Sequence, residues 1–332
     1  MEKNTICSRK GYSCCNINKT MKSYYDEERL CSQTCLELGD CYHLWTSERC
    51  EMIFYTEADF REGMNVIGIC ARLHPQIRIL TFEIMSNHLH FALVGDESAI
   101  RHFFDSLKKY LSRHFRKRVD ECPRSTDWSG FNASVRKIDT LEDLRNVIVY
   151  INRNGYVISK GHTPFTYPWG TNRYYFNPDA VALASLKSRP MTLRERQSAI
   201  NSRVADHIEG LAIHENCALP LSFCDIASGE RLFRNPSHYF YKLGRSIEGH
   251  KKIAGEISES IFYTDDELFS AISSIAREKY GCRQLVQVPA EAKLELARTM
   301  RFEYNSSAKQ IQRMLKISTN TLNDILGEAV KE

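Results

Sequence analysis

The stretch QIRILTFEIMSNHLHFALVGD, Gln76 to Asp96, decides the architecture. Two apolar runs of strand length flank Ser86 and Asn87, residue types whose side chains bond their own backbone and so favour a tight turn. A β-hairpin is therefore expected. His88 and His90 stand one residue apart in its second arm. Side chains two apart on a strand share a face, so the imidazoles project together while Leu89 and Phe91 point the other way. Such a pair can hold a divalent cation. It equally suits two hydrogen-bonded histidines at a sheet edge, and a third residue is needed to choose.

Working outward, YHLWTSE (Tyr42 to Glu48) alternates apolar and polar residues, as a half-buried strand does. Phe60, Met64, Ile67 and Leu73 recur at near-helical spacing before Pro75, which closes the segment. After the hairpin, Ile100, Phe103, Leu107, Tyr110, Leu111 and Phe115 mark a second helix, FNASVRKI a short strand, and TLEDLRNVIVYINRN a third helix. Thr140 caps that helix, and Glu142 and Asp143 lie in its first turn, where the exposed N–H groups and the dipole favour them. The order β-α-β-β-α-β-α predicts an α+β fold: a ferredoxin-like antiparallel sheet with helices on one face, followed by an all-α C-terminal region.

Four segments are expected. Residues 1–40 are rich in cysteine, 41–180 hold the α+β unit, 181–288 form a helical middle region entered through a linker near Asn177, and 289–332 carry a helix-turn-helix. In the last, Pro289 opens a helix, and the three residues Lys316 to Ser318 join two short helices. Gln310, Arg313, Lys316, Thr319, Asn320, Thr321 and Asn323 are expected to keep its outer side polar and able to contact DNA. An ordinary helical hairpin is the alternative.

Composition excludes several classes. With 42% hydrophobic residues and nine prolines in 332 residues, the chain is globular rather than disordered. No apolar run approaches the roughly 20 residues of a membrane helix, and Met1 to Thr20 has no apolar signal core, so a cytoplasmic protein with no membrane partner is expected. The twelve cysteines are spread over a long chain and are expected to be mostly free thiols. Cys7, Cys14, Cys15, Cys31, Cys35 and Cys41 crowd the N-terminus without the paired C-x-x-C units of a zinc ribbon.

Further motifs bear on chemistry. Tyr150 and Asn154 are four apart in VIVYINRNGYV and share one helix face, so a phenol and an amide ligand can be brought up to the histidines together. With sixteen tyrosines in the chain, Tyr150 alone could simply be structural. Tyr110, in LKKYLSRHF, is the rival nucleophile. From Arg101 to Arg118, the cations Arg101, Lys108, Lys109, Arg113, Arg116, Lys117 and Arg118 face one acid, Asp105, opposite a buried apolar side. That favours a phosphate track over a merely solvated face, and Arg136 and Lys137 could extend it. Trp128, Phe131, Trp169, Tyr174 and Tyr175 are candidates for stacking on unpaired bases. RLFRNPSHYFYKLGRS interleaves aromatic and basic residues with no role assigned.

IMSNHLHFALV resembles the MPNHVHLLV signature of the HUH single-strand DNA transposases. In the same order along the chain, HLWTSE and IFYTEADF look like that family's first strand and the start of its first helix. DLRNVIVYINRN is similar to its helix of the pattern dL…iieYIhlNP, and YPWGTNRYY to its ypWSSyr.y ending. The resemblance spans about Cys41 to Phe176 and is to the REP-associated tyrosine transposase branch, whose longer members carry helical C-terminal extensions. Ser86 stands where the signature has proline, and the segment after Asn154 is shortened to NGYV, which bears on where the helix ends.

The resemblance implies an HUH nuclease core in which His88, His90 and Asn154 hold Mg²⁺ or Mn²⁺ and Tyr150 is the nucleophile. It implies a transposase that forms a 5′-phosphotyrosine link, transfers strands without ATP and acts on single-stranded or hairpin DNA, with a homodimer as the assembly to test. Two other functions are kept: a sequence-specific DNA-binding regulator of the same fold without activity, and a zinc hydrolase, disfavoured because no H-E-x-x-H is present.

Overall fold

The computed structural model describes residues 14–46, 53–116, 128, 130–158, 163, 165–256, 265–302, 304, 306, 308–318 and 321–322. Helix α1 (Cys14–Leu38) precedes strand β1 (Cys41–Thr46), helix α2 (Glu57–Leu73), the hairpin β2 (Arg78–Ile84) and β3 (Leu89–Val94), helix α3 (Glu97–Arg116), strand β4 (Ala133–Ile138) and helix α4 (Leu141–Ile158). The hairpin forms as its sequence predicts. Ile84 pairs with Leu89, Glu83 with His90 and Phe82 with Phe91, and the turn closes by Met85 N–H donating to His88 O at 2.9 Å. The four strands are ordered β2-β3-β1-β4, and every pair is antiparallel. Thr56 and Asp59 build a capping box at the start of α2, and Thr140 accepts from the Asp143 N–H at the start of α4.

Helices cover both faces of this sheet, not the one face expected. Leu44, Phe82, Ile84, Leu89 and Phe91 pack with Met64 and Ile67 of α2 and Phe103, Leu107 and Leu111 of α3. Leu80, Ala92, Val94 and Ile138 pack on the opposite side with Leu144, Ile148 and Ile151 of α4. The hairpin itself explains the correction. Six of the seven residues of β2 and all six of β3 are buried, so neither strand has a solvent face and each needs cover on both sides.

The chain after Asn177 is neither a linker nor entirely helical. Asn177 caps helix α5 (Pro178–Lys187), and three short strands, β5 (Arg189–Pro190), β6 (Ala212–His214) and β7 (Cys217–Ala218), make a second small sheet around helix α6 (Leu193–Ile200). Helices α7 (Ile226–Arg231) and α8 (Pro236–Glu256) follow. These residues complete both cores: Met191, Ile200, Ile213 and Ala218 join the first, and Leu219, Ile226, Phe233, Tyr239 and Leu243 the second. The expected boundary at 180 thus separates no two cores. Residues 169–171, together with Asp225 from this region, seal β2, which is an edge strand. Ile84 N–H donates to Trp169 O, Thr171 N–H to Phe82 O and Asp225 N–H to Ile79 O, so the edge offers no open ladder to another chain.

Helices α9 (Asp265–Tyr280), α10 (Ala290–Phe302) and α11 (Ala308–Leu315) form a third core with Leu322. The C-terminal unit therefore begins at α9, ahead of the expected start at 289. Its turn matches the sequence: Lys316 takes a positive φ of 53° after α11, and Ser318 Oγ accepts from the Thr321 N–H. Gln310, expected on the polar outside, is buried.

Cys31, Cys35, Cys41, Cys70, Cys217, Cys224 and Cys282 are free thiols, and none is exposed. Among the described residues no helix is long and apolar enough to cross a membrane. A fragment of residues 41–180 lacks the side chains that fill both cores from 191 to 243. It is expected to show no cooperative unfolding transition by circular dichroism, whereas residues 25–256 unfold in one.

Candidate functional site

Strand parity sets the site. Thr81 and Glu83 of β2, His90 of β3 and His43 of β1 face α4, while Phe82, Phe91 and Leu44 face the other core. His88 precedes β3 by one residue, and its Nδ1–H donates to Asn87 Oδ1 at 2.7 Å, which leaves Nε2 with the lone pair. The rings of His88 and His90 lie 4.9 Å apart, centre to centre, at 87°. Tyr150 comes down from α4 with its ring edge-on to His90, centroids 5.4 Å apart. It is half-buried, and the Arg153 guanidinium lies 5.1 Å from the centre of its ring. Tyr150 and the histidine pair, some sixty residues apart in sequence, are thus neighbours.

A third histidine joins them that the sequence did not single out. His43 places its Nε2 3.3 Å from His90 Nδ1, and its ring is 6.0 Å from that of Tyr150. The alternation of YHLWTSE puts His43 on one face of a strand, but that β1 lies beside β3 follows only from the sheet order.

Burial dominates the electrostatics. It lowers His88 to about 3 and His43 to about 4, and it drives His90 well below its usual range with help from His88 and His43. All three imidazoles are neutral at pH 7. Glu83, the cross-strand partner of His90, is raised well above the ordinary carboxyl value by its burial. Its Oε1 accepts the Gly155 N–H at 2.8 Å, while Oε2 has no hydrogen-bond partner.

Asn154 is fully buried, and neither its amide oxygen nor its amide nitrogen is hydrogen-bonded; Asn87 Nδ2 is in the same state. Buried amides are nearly always satisfied, so a cluster of orphans marks a place built for something else. Among the described residues no three His, Cys, Asp or Glu side chains converge at metal-ligand spacing, so His43 and Glu83 do not complete a set with His88 and His90. The donor chemistry of two neutral imidazoles, with the orphaned Asn154 amide one helical turn beyond Tyr150, nevertheless fits a divalent cation.

The helix that carries Tyr150 does not stop at Gly155 but continues to Ile158. Gly155 is a point of close approach between α4 and β2, its N–H bonded to Glu83. A methyl group there would overlap the Tyr167 ring and come within 2.5 Å of Glu83 Oε1. Gly155 is thus a contact point within the helix rather than its end.

The other expected site residues are distributed differently. Tyr110 is buried in the α2–α3 core, on the far side of the sheet from His90. The basic helix α3 lies on that far side too, so its cations do not line the Tyr150 site. Arg101 is paired with Glu97, an acid one turn ahead that lies just outside the span counted in the sequence. Lys108 donates to Asn132, Arg113 to Asn201 O, and Lys109 lies over the Tyr110 ring. Arg116 ends α3, and Lys117 and Arg118 fall outside the described residues.

Arg136 does sit on the site's face, in register with His43, and is held by both oxygens of Asp143. Trp128, Phe131, Tyr174 and Tyr175 are buried, and Trp169 stacks on Phe60, so these aromatics are core rather than platforms for bases. In the C-terminal unit Thr321 is exposed, whereas Thr319, Asn320 and Asn323 fall outside the described residues. Compared with known proteins, the chain matches no protein-family model, no curated protein and no solved structure.

Two outcomes test this geometry. Gly155→Ala is expected to cost about 1–3 kcal/mol of stability through overpacking, measured by denaturant unfolding. The second concerns pH. Unfolded histidines take up protons below about 6.5 while His43, His88 and His90 in the fold do not, so each removes up to about 1.4 kcal/mol of stability per pH unit on acidification. The partly buried His74 and His238 act in the same sense. Glu83 works against them, because its raised value makes the folded state hold a proton that the unfolded chain has released. Glu83→Gln should therefore steepen the loss of stability between pH 6.5 and 5, and an unchanged slope would show that this carboxyl is ionised in the fold.

Proposed function

We propose that the chain cuts and rejoins single-stranded DNA through Tyr150. The observation that carries this is the edge-on approach of the Tyr150 ring to His90, from a helix on which Asn154 is one turn further along. The strand order β2-β3-β1-β4 with β-α-β-β-α-β connectivity supports a ferredoxin-like core of the HUH type beneath it.

In this proposal the Tyr150 hydroxyl attacks a backbone phosphorus, and its proton passes to the neutral imidazole of His43, which is not a metal ligand. The bond from phosphorus to the 3′ oxygen breaks, and that oxygen leaves as a 3′-OH after protonation. The 5′ phosphate stays on Tyr150 as a phosphodiester, so a second 3′-OH can reverse the step without an external energy source. His88, His90 and Asn154 would hold Mg²⁺ or Mn²⁺, which supplies Lewis-acid polarisation of the phosphate. Asn87 fixes the His88 ring for that role.

A second function, DNA binding without cleavage, is favoured by one observation: His88 is 2% exposed, His90 5% and Asn154 0%. The two are separated by incubating the protein with a 5′- or 3′-labelled hairpin oligonucleotide and Mn²⁺ and looking for a covalent adduct on a denaturing gel. Cleavage predicts an adduct through the new 5′ end that is lost in Tyr150→Phe and in the double variant His88→Ala, His90→Ala. A retarded complex without any adduct from the parent protein supports the regulator.

A further inference from the structure

The segment PSHYFYKLGRS, Pro236 to Ser246, interleaves aromatic and basic residues at the start of α8. The structure divides them by face. Tyr239 and Leu243 turn into the core, where the Tyr239 hydroxyl accepts from Asn152 and bonds Asn172. His238, Tyr241, Lys242 and Arg245 turn to the opposite edge and, with α4 and Glu28 of α1, line a cavity of about 620 Å³.

The wall of this cavity is basic. Arg145, Arg234, Lys242 and Arg245 face only two carboxylates, Glu28 and Glu142. The cations are sunk into the wall, with Arg145, Lys242 and Arg234 side chains 4%, 17% and 19% exposed, while Glu142 stands at the rim at 58%. Arg145 is held by both oxygens of Glu28, and Lys242 bonds Glu142 and Asn146. His238 adds no charge to offset or reinforce this, since burial and then Arg234, Arg145 and Lys242 hold it at about 4.

Two wall residues connect the cavity with Tyr150. Asn146 is one helical turn before Tyr150, and Ser246 accepts from Arg153 through its carbonyl. The same Arg153 guanidinium lies over the Tyr150 ring. Tyr241 is 61% exposed, and Arg245 donates to its hydroxyl at 3.1 Å with the guanidinium 5.8 Å from the ring centre. An exposed ring with a cation beside it in a basic groove is the arrangement on which unpaired bases stack.

We propose that the groove between α4 and α8 binds the phosphate backbone of a single DNA strand, with a base stacked on Tyr241, and delivers that strand to Tyr150. This rests on the cleavage function proposed above and names the substrate path for it. It also assigns the path to the face that carries Tyr150, where the basic helix α3 cannot reach.

The test uses the full chain carrying Tyr150→Phe, in EDTA, so that neither cleavage nor metal enters the measurement. Affinity for a fluorescein-labelled single-stranded oligonucleotide is followed by anisotropy across a salt series. Lys242→Ala with Arg245→Ala should weaken binding and reduce the salt slope by about 1.4, since each cation on a single strand contributes about 0.7.

Tyr241→Ala should weaken single-strand binding about five-fold or more while Tyr241→Phe restores it, because the ring rather than the hydroxyl does the stacking. Tyr241 is exposed, so its removal leaves the fold intact even where the charge variant disturbs it. Affinity and salt slope unchanged in both sets, or a loss matched by Arg101→Ala with Lys109→Ala on α3, would overturn the proposal. Loss of affinity in a protein that never forms an adduct would keep the groove and sink the cleavage function. Adduct formation by the wild-type chain with affinity unaffected by these substitutions would do the reverse.

Discussion

The bond from the Gly155 N–H to the Glu83 carboxyl sets where α4 lies, and most of the candidate site depends on that position. Gly155 has no side chain to hold the helix away from β2, so α4 sits close enough for a backbone N–H to reach a carboxyl on the sheet. Tyr150 is five residues earlier on the same rigid helix, and His90 is directly across the hairpin from Glu83. The height of the phenol over the imidazole is thereby fixed from one turn away. The residues that seal β2 secure the other side of the contact, for the Tyr167 hydroxyl donates to Ile84 O and its ring lies against Gly155.

The polar groups buried under α4 fall into two kinds. Thr81, Asn152, Thr171, Tyr239 and Asn172 form a connected set in which each member is hydrogen-bonded. Such a network ties α4, β2 and α8 together at little cost, because nothing in it is left unsatisfied. Two residues along the same helix, the side-chain amide of Asn154 is buried with no hydrogen bond. One helix thus carries an amide used for the fold and another held in reserve. An unsatisfied buried polar group costs about 1–3 kcal/mol, and a fold able to satisfy Asn152 has left the Asn154 amide unmet, one helical turn beyond Tyr150.

What could be read in advance was local. The hairpin, the order of the elements, the caps at Thr56 and Thr140 and the shared face of Tyr150 and Asn154 follow from periods of two and of three to four residues, which a single segment contains in full. What could not be read depends on which segments meet. His43 enters the cluster only because β1 lies beside β3, and Glu83 only because of the hairpin register. The cover on both faces follows from the burial of β2 and β3, although Thr81, Glu83 and His90 make one of those faces partly polar. Residues that provide much of the second face lie more than eighty positions downstream. The cations of α3 are offset from outside the basic stretch itself, since Arg101 pairs with Glu97 one turn ahead of it. The large aromatics around Trp128 and Tyr175 could not be told from ligand platforms until their burial was known.

The cysteines carry a different consequence. Their number invites thoughts of metal or redox chemistry, yet burial raises Cys41 and Cys217 to about 12 and Cys224 well above its ordinary value. At neutral pH a thiol at that level is ionised in roughly one molecule in 10⁵, and it is the thiolate that reacts. These sulfurs behave as small apolar fillers, shaped to the gaps between sheet and helices, and oxidants or alkylating reagents would meet them at a rate set by how often the fold opens.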